Sequence, residues 1–158
     1  MPDDRPSTDQ RDPAAVVTGM VDHVLRLVDT WPGWDGEPRR VDERVYTPHK
    51  AVRRVADHMV DHLAEVDARL AGEPTIPDRW HASASTTAAD LAAFTDEDRD
   101  EANSRLERLA QVWRLRLRSI DHERLDRRDG DAWTIREIAF HLEESTYYAD
   151  AVGDLGLG

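Results

Sequence analysis

The sequence predicts an all-α fold, a single four-helix bundle, and three observations predict it. Four segments carry apolar residues at three- and four-residue spacing, the period of one helical face. Their ends carry start and stop residues of the right kind, Thr or Asp ahead of the apolar stripe and Gly behind it. No run alternates with period two for long enough to make a strand. At 158 residues the chain matches one domain, large enough to bury a core without a disulfide or a structural metal.

Residues 1–11, MPDDRPSTDQR, are charged and contain proline with no apolar period, so they read as a loose acidic tail ahead of a bundle domain over 12–158. The first helix opens with Asp12 as N-cap and Pro13 at the first helical position. It then buries Val17, Met20, Val21, Val24, Leu27 and Val28 to about Thr30. TWPGWDGEPRR stops it with prolines and glycines and starts a long connection to about Tyr46. The second helix has Thr47 as N-cap, Pro48 at the first position and Gly72 just past its end, with a stripe of Val52, Val55, Met59, Leu63, Val66 and Leu70. Residues 72–94 begin with turn residues and then carry a short apolar piece, one or two turns of extra helix expected to cross an end of the bundle.

The third helix starts near Thr95 or Asp96, where clustered acids suit the positive end of the helix dipole, and runs through Ala102, Leu106, Leu109, Trp113, Leu117 and Ile120. Arg127, Arg128, Asp129 and Gly130 break the chain after it. The fourth helix opens with a capping box, Thr134 and Glu137, and Trp133 is placed to staple onto Ile138. Ile135, Ile138, Leu142, Ala149 and Val152 mark its buried face, and Gly153 ends it.

Composition excludes several functions. Net charge is −12, and the 21 basic residues include one lysine, Lys50, so the chain repels phosphate backbones and no nucleic-acid partner is expected. No apolar run approaches the roughly 20 residues of a membrane-spanning helix, and the acidic start is unlike a secretory signal, so a cytoplasmic protein without a membrane partner is expected. Cysteine is absent. Metal ligation therefore falls to His, Asp and Glu, and any thiol chemistry must come from a cofactor or substrate.

Among seven histidines, His58 and His62 in HMVDH are four apart, one helical turn, and can grip one ion. By the stripe, His62 lies between Met59 and Val66 on the buried face and His58 on its flank. A metal centre for chemistry usually takes three protein ligands and keeps a position open. His141, on the inner face of the fourth helix, is the third candidate; its ring must come within about 4 to 5 Å of the pair to share an ion. His23 is a weaker candidate, His49 lies in the opening turn of the second helix, and His81 and His122 fall in connections. Asp57 and Asp61 read as solvated surface charges. Glu144 and Glu137 fit a ligand, an outer acceptor to His141 or a surface charge. Ser145, Tyr148 and Trp80, with Tyr147, are candidates for the ligands' outer partners or a pocket wall. HExxH is absent, which removes the protease motif built on it.

DAWTIREIAFHLEES resembles the helix-opening motif of the DinB/YfiT-like superfamily of four-helix-bundle metalloenzymes, in which a Trp-Thr cap leads through an acidic residue to a metal-ligating histidine. His141 matches that ligand, and His58 and His62 match the spacing of the family's His-x-x-x-His pair. The order is exchanged: here the HxxxH helix is second and the Trp-Thr helix fourth. The resemblance implies a three-histidine site for Zn, Ni or Fe. It also implies a transferase or isomerase that activates a low-molecular-weight thiol against a small-molecule substrate. A bundle without catalysis, dimeric and stress-related, with a structural metal or none, stays open beside it, with Trp31, Trp34 and Trp80 as a partner surface; so does hydrolysis by a metal-bound water.

Overall fold

In the computed structural model, residues 9–77 and 85–156 are described, and they form an all-α bundle with one small hairpin. Helix α1 (Pro13–Val28) starts at Asp12, whose carboxylate accepts from the Ala14 amide, with Pro13 supplying a first position that has no amide to leave bare. Helix α2 (Pro48–Ala71) starts at Thr47, whose hydroxyl accepts from the Lys50 amide. It stops at Gly72, which turns left-handed at φ 72°, a conformation that costs a residue without a Cβ little. Helix α3 (Asp96–Ser119) opens with a reciprocal capping box between Thr95 and Asp98. The fourth arm comes in pieces: a short α4 (His122–Leu125), then α5 (Ile135–His141), a 3-10 turn over Leu142–Ser145, and α6 (Thr146–Val152).

Each arm of the bundle touches two neighbours. α1 lies along α3 and against α5 and α6, while α2 packs on α6 and α3. The shared core includes Val17, Val24, Val55, Met59, Leu106, Trp113, Ile138 and Leu142, all from the apolar stripes. The inner face expected of the fourth arm, Ile135, Ile138, Leu142, Ala149 and Val152, is buried throughout.

Four expectations change. The connection to Tyr46 contains a hairpin, β1 (Arg39–Val41) against antiparallel β2 (Arg44–Tyr46), with Val41 opposite Arg44. Strands of three residues are too short to show a period. The turn is signalled instead by Asp42, at φ 54° the only non-glycine residue with positive φ among those described, in a two-residue loop. Second, the fourth helix is not continuous. Leu142–Ser145 contains no Gly or Pro, and a mid-helix 3-10 stretch of this kind marks either a functional hinge or a strained sequence. Third, the fourth-helix cap is one-sided: Thr134 accepts from the Glu137 amide at 3.1 Å, but the Glu137 carboxylate pairs with Arg128. An available guanidinium outcompetes a backbone amide for that carboxylate. Fourth, Trp31 is no partner surface. It is fully buried, donates its indole N–H to the Gly153 carbonyl at 2.8 Å and packs edge-on against Phe94. Trp34 is half-buried and bonded to the Glu37 carbonyl at 3.0 Å, while Trp80 and His81 lie outside the described residues.

Among the described residues between α2 and α3, the extra piece is a 3-10 turn, Ala89–Leu91. Buried Asp90 ties it to α2 by accepting from Arg53 at 2.7 Å, and it also accepts the Thr87 amide at 2.8 Å. The sole lysine, Lys50, is fully buried and donates to the Val45 carbonyl at 2.6 Å and the Thr86 hydroxyl at 3.1 Å, with its ammonium over the Tyr46 ring. One cation thus joins the hairpin, α2 and the segment before α3, which sets the hairpin beside α6 and the rim of the site.

Candidate metal centre

α2 carries Arg54, His58 and His62 at steps of four, so the three side chains leave one face in successive turns, about 6 Å apart along the axis. Across from them, α5 ends at His141 and the 3-10 turn follows. The two arms meet at the histidines: His58 Nε2 and His141 Nε2 are 3.1 Å apart, and the ligand atoms of His58, His62 and His141 all lie within 4.8 Å of one another. It is the one group of its kind among the described residues.

The remaining ring nitrogens are all engaged. His62 Nδ1 donates to Glu65 Oε2 at 2.9 Å, and His141 Nδ1 lies 3.1 Å from Glu144 Oε2. Each carboxylate favours the ring proton on Nδ1 and leaves the Nε2 lone pair to face inward, the tautomer a metal requires. His58 Nδ1 is 2.7 Å from Ser145 Oγ, and a hydroxyl both donates and accepts, so it suits either tautomer of His58. Two Nε2 lone pairs facing at 3.1 Å repel unless a proton or a cation lies between them. Nitrogens at about 2.05 Å from a tetrahedral Zn are roughly 3.3 Å apart. The His58–His141 pair is near that spacing, and the wider gap belongs to His62. The three histidines could therefore hold a metal ion.

The depth of the pair is reversed from the stripe reading. His58 is buried and His62 half-buried, because α6 and the 3-10 turn cover the N-terminal half of α2 and leave His62 at the mouth. The mouth opens on a cleft of about 840 Å³. Tyr148, edge-on to His58 at 6.2 Å between ring centres, and Tyr147 form one wall; Trp133 forms another, its ring 4.6 Å from that of His141. Trp133 thus packs on the site histidine, where the sequence placed it as a staple on Ile138. Asp61 lines the cleft, while Asp57 does not. The other histidines serve elsewhere: His23 pairs with Asp150 at 2.7 Å, His49 bonds the Ala93 carbonyl at 3.0 Å, and His122 opens α4 at the surface.

Glu65, Arg54 and Arg44 escaped the sequence reading. Glu65 had a signal, since it follows His62 by three residues as Glu144 follows His141, and side chains three apart meet on a helix. Arg54 also had one, at one turn before His58. Arg44 had none, because only the hairpin brings it to the cleft.

Burial pushes the His141 pKa below the ordinary imidazole value; the pull of Glu144 is weaker, and His62 adds to the lowering. The ring is neutral at neutral pH and ready to coordinate. Because the folded pKa is depressed, the unfolded chain binds more protons just below the ordinary value of about 6.5, so stability must fall as pH falls through that window. With chelator present, urea midpoints should drop between pH 7.5 and 5.5, and His141→Gln should flatten the dependence; equal slopes in both proteins would refute this origin.

Among the described residues no helix is long and apolar enough to cross a membrane. Comparison of the chain with family models, with curated proteins and with solved structures yields no match, so the reading of this centre rests on its own geometry.

Proposed function

We propose that the protein is a divalent-metal-dependent enzyme of the DinB-like type, in which the three-histidine centre activates a low-molecular-weight thiol against a small-molecule substrate. The observation that carries this reading is the convergence of three histidines whose other ring nitrogens are each held by an oxygen. A structural ion needs the convergence alone; an open cleft above the ligands also leaves room for a reacting ligand. Imidazole ligands suit Zn, Ni or Fe. When bound, such an ion supplies Lewis acidity that lowers the pKa of a coordinated thiol, and a chain without cysteine has no thiol of its own to offer.

The chain's residues then have distinct tasks. His58, His62 and His141 hold the ion. Ser145, Glu65 and Glu144 fix ring orientation and tautomer. Trp133, Tyr147 and Tyr148 wall the cleft, and the Tyr148 hydroxyl is a proton donor within it.

Metal content of the purified protein by mass spectrometry should be near one equivalent, and less than roughly a tenth, purified without chelators, would overturn the reading. A thermal-shift panel of glutathione, mycothiol and bacillithiol should then single out a stabilising thiol. A ligand at about 100 times its Kd adds about 2.7 kcal/mol, a shift of several degrees for a chain of this size. Metal binding with no response to any of the three thiols would favour the non-catalytic bundle with a structural ion.

A further inference from the structure

We propose that the cleft contains an anion subsite, built on Arg54 with Arg44 at its rim, and that the substrate carries a carboxylate on the side remote from its reacting group. This subsite rests on the metal-centre reading above. Arg54 is 8% exposed, and residues of its type are rarely so buried. It lies one helical turn from His58 on the same face of α2 and lines the same cleft. Its guanidinium stacks on Tyr148, 4.9 Å from the ring centre, and donates from Nη2 to the Tyr148 hydroxyl at 3.1 Å. Both contacts fix the plane of the guanidinium before a ligand arrives, and a fixed, always-charged guanidinium at the cleft wall attracts a carboxylate.

With an ion in place, the charges around the cleft favour the same ligand. Its lining sets three carboxylates, Asp61, Glu144 and Asp150, against two guanidiniums, Arg54 and Arg44, a balance of one negative charge before the ion is counted. A divalent ion on three neutral imidazoles adds two positive charges to that balance. A ligand with one group at the ion and a carboxylate about one helical turn away meets positive charge at both ends.

The test uses the full chain loaded with Co(II), whose visible ligand-field bands report coordination without any turnover. Propionate probes the ion alone; malonate, succinate and glutarate probe the ion and the subsite together. The best of the three dicarboxylates should bind at least about tenfold tighter than propionate, the worth of one charge-assisted contact. Arg54→Gln should abolish that advantage and leave propionate affinity unchanged. Because Arg54 is buried, circular dichroism and full Co(II) loading must accompany the variant. Should it not fold, Arg44→Gln, at an exposed position, must reduce the dicarboxylate advantage severalfold for the subsite to stand. Normal Co(II) loading with equal affinity for propionate and every dicarboxylate overturns the subsite and leaves the metal centre intact. Failure to load Co(II) at all overturns both.

Discussion

His58→Ala is expected to reduce bound metal from about one equivalent to less than roughly a tenth, and His141→Ala to do the same. The two Nε2 atoms face each other at 3.1 Å, so neither can be removed without leaving the ion a two-ligand site. A site of two imidazoles loses its ion on dialysis. His62→Ala should follow more mildly, since His62 is the half-buried member at the mouth. The oxygens behind the ligands should give graded effects. Ser145→Ala, which removes the partner of His58 Nδ1 at 2.7 Å, and Glu144→Gln, which weakens the hold on His141, should each loosen metal by about 10- to 100-fold. Competition against a chromophoric chelator measures all six proteins, including wild type. Full retention of metal by His58→Ala would remove the three-histidine centre.

Trp113→Ala should be the most destabilising single substitution tied to the site, at about 3–5 kcal/mol. Trp113 is fully buried on α3, and its indole N–H donates at 3.0 Å to the carbonyl of Met59, inside the turn of α2 that separates His58 from His62. The truncation leaves a large cavity and withdraws a donor from a buried carbonyl at once. Against the 5–15 kcal/mol that holds a typical domain, this is a major share of the total. Trp113→Phe separates the two effects: most of the packing remains, and the lost bond alone should cost about 1 kcal/mol. Urea midpoints give both values. A cost below about 1 kcal/mol for the alanine variant would mean that α3 does not brace the ligand turn.

The helices were legible because their signals are local. Asp12 with Pro13, Thr47 with Pro48, and Gly72 each act on backbone groups within four residues, so these boundaries do not depend on what packs above them. The hairpin was not legible, because three-residue strands carry no period and Asp42 resembles any loop aspartate until its φ is seen. Glu137 and Trp133 show the opposite failure. Each had a plausible partner within about one turn, and each meets another eight or nine residues along the chain: Arg128 for the carboxylate and the His141 ring for the indole. Local rules rank partners within a turn; a stronger partner from elsewhere in the chain overrides them.

The sequence by itself determined the all-α class, three of the helix starts, the apolar stripes and the spacing of His58 to His62, because helical geometry sets that distance whatever surrounds it. It also placed Glu65 and Glu144 where each could reach its histidine. Only the tertiary structure decided that His141 stands at the level of His58, that Ser145 turns inward beneath it, and that Arg54, Arg44 and Trp133 share one cleft. Those relations depend on how the 3-10 turn and α6 sit along α2. That register is set by the summed packing of both helices and the hairpin, which no single window of sequence contains.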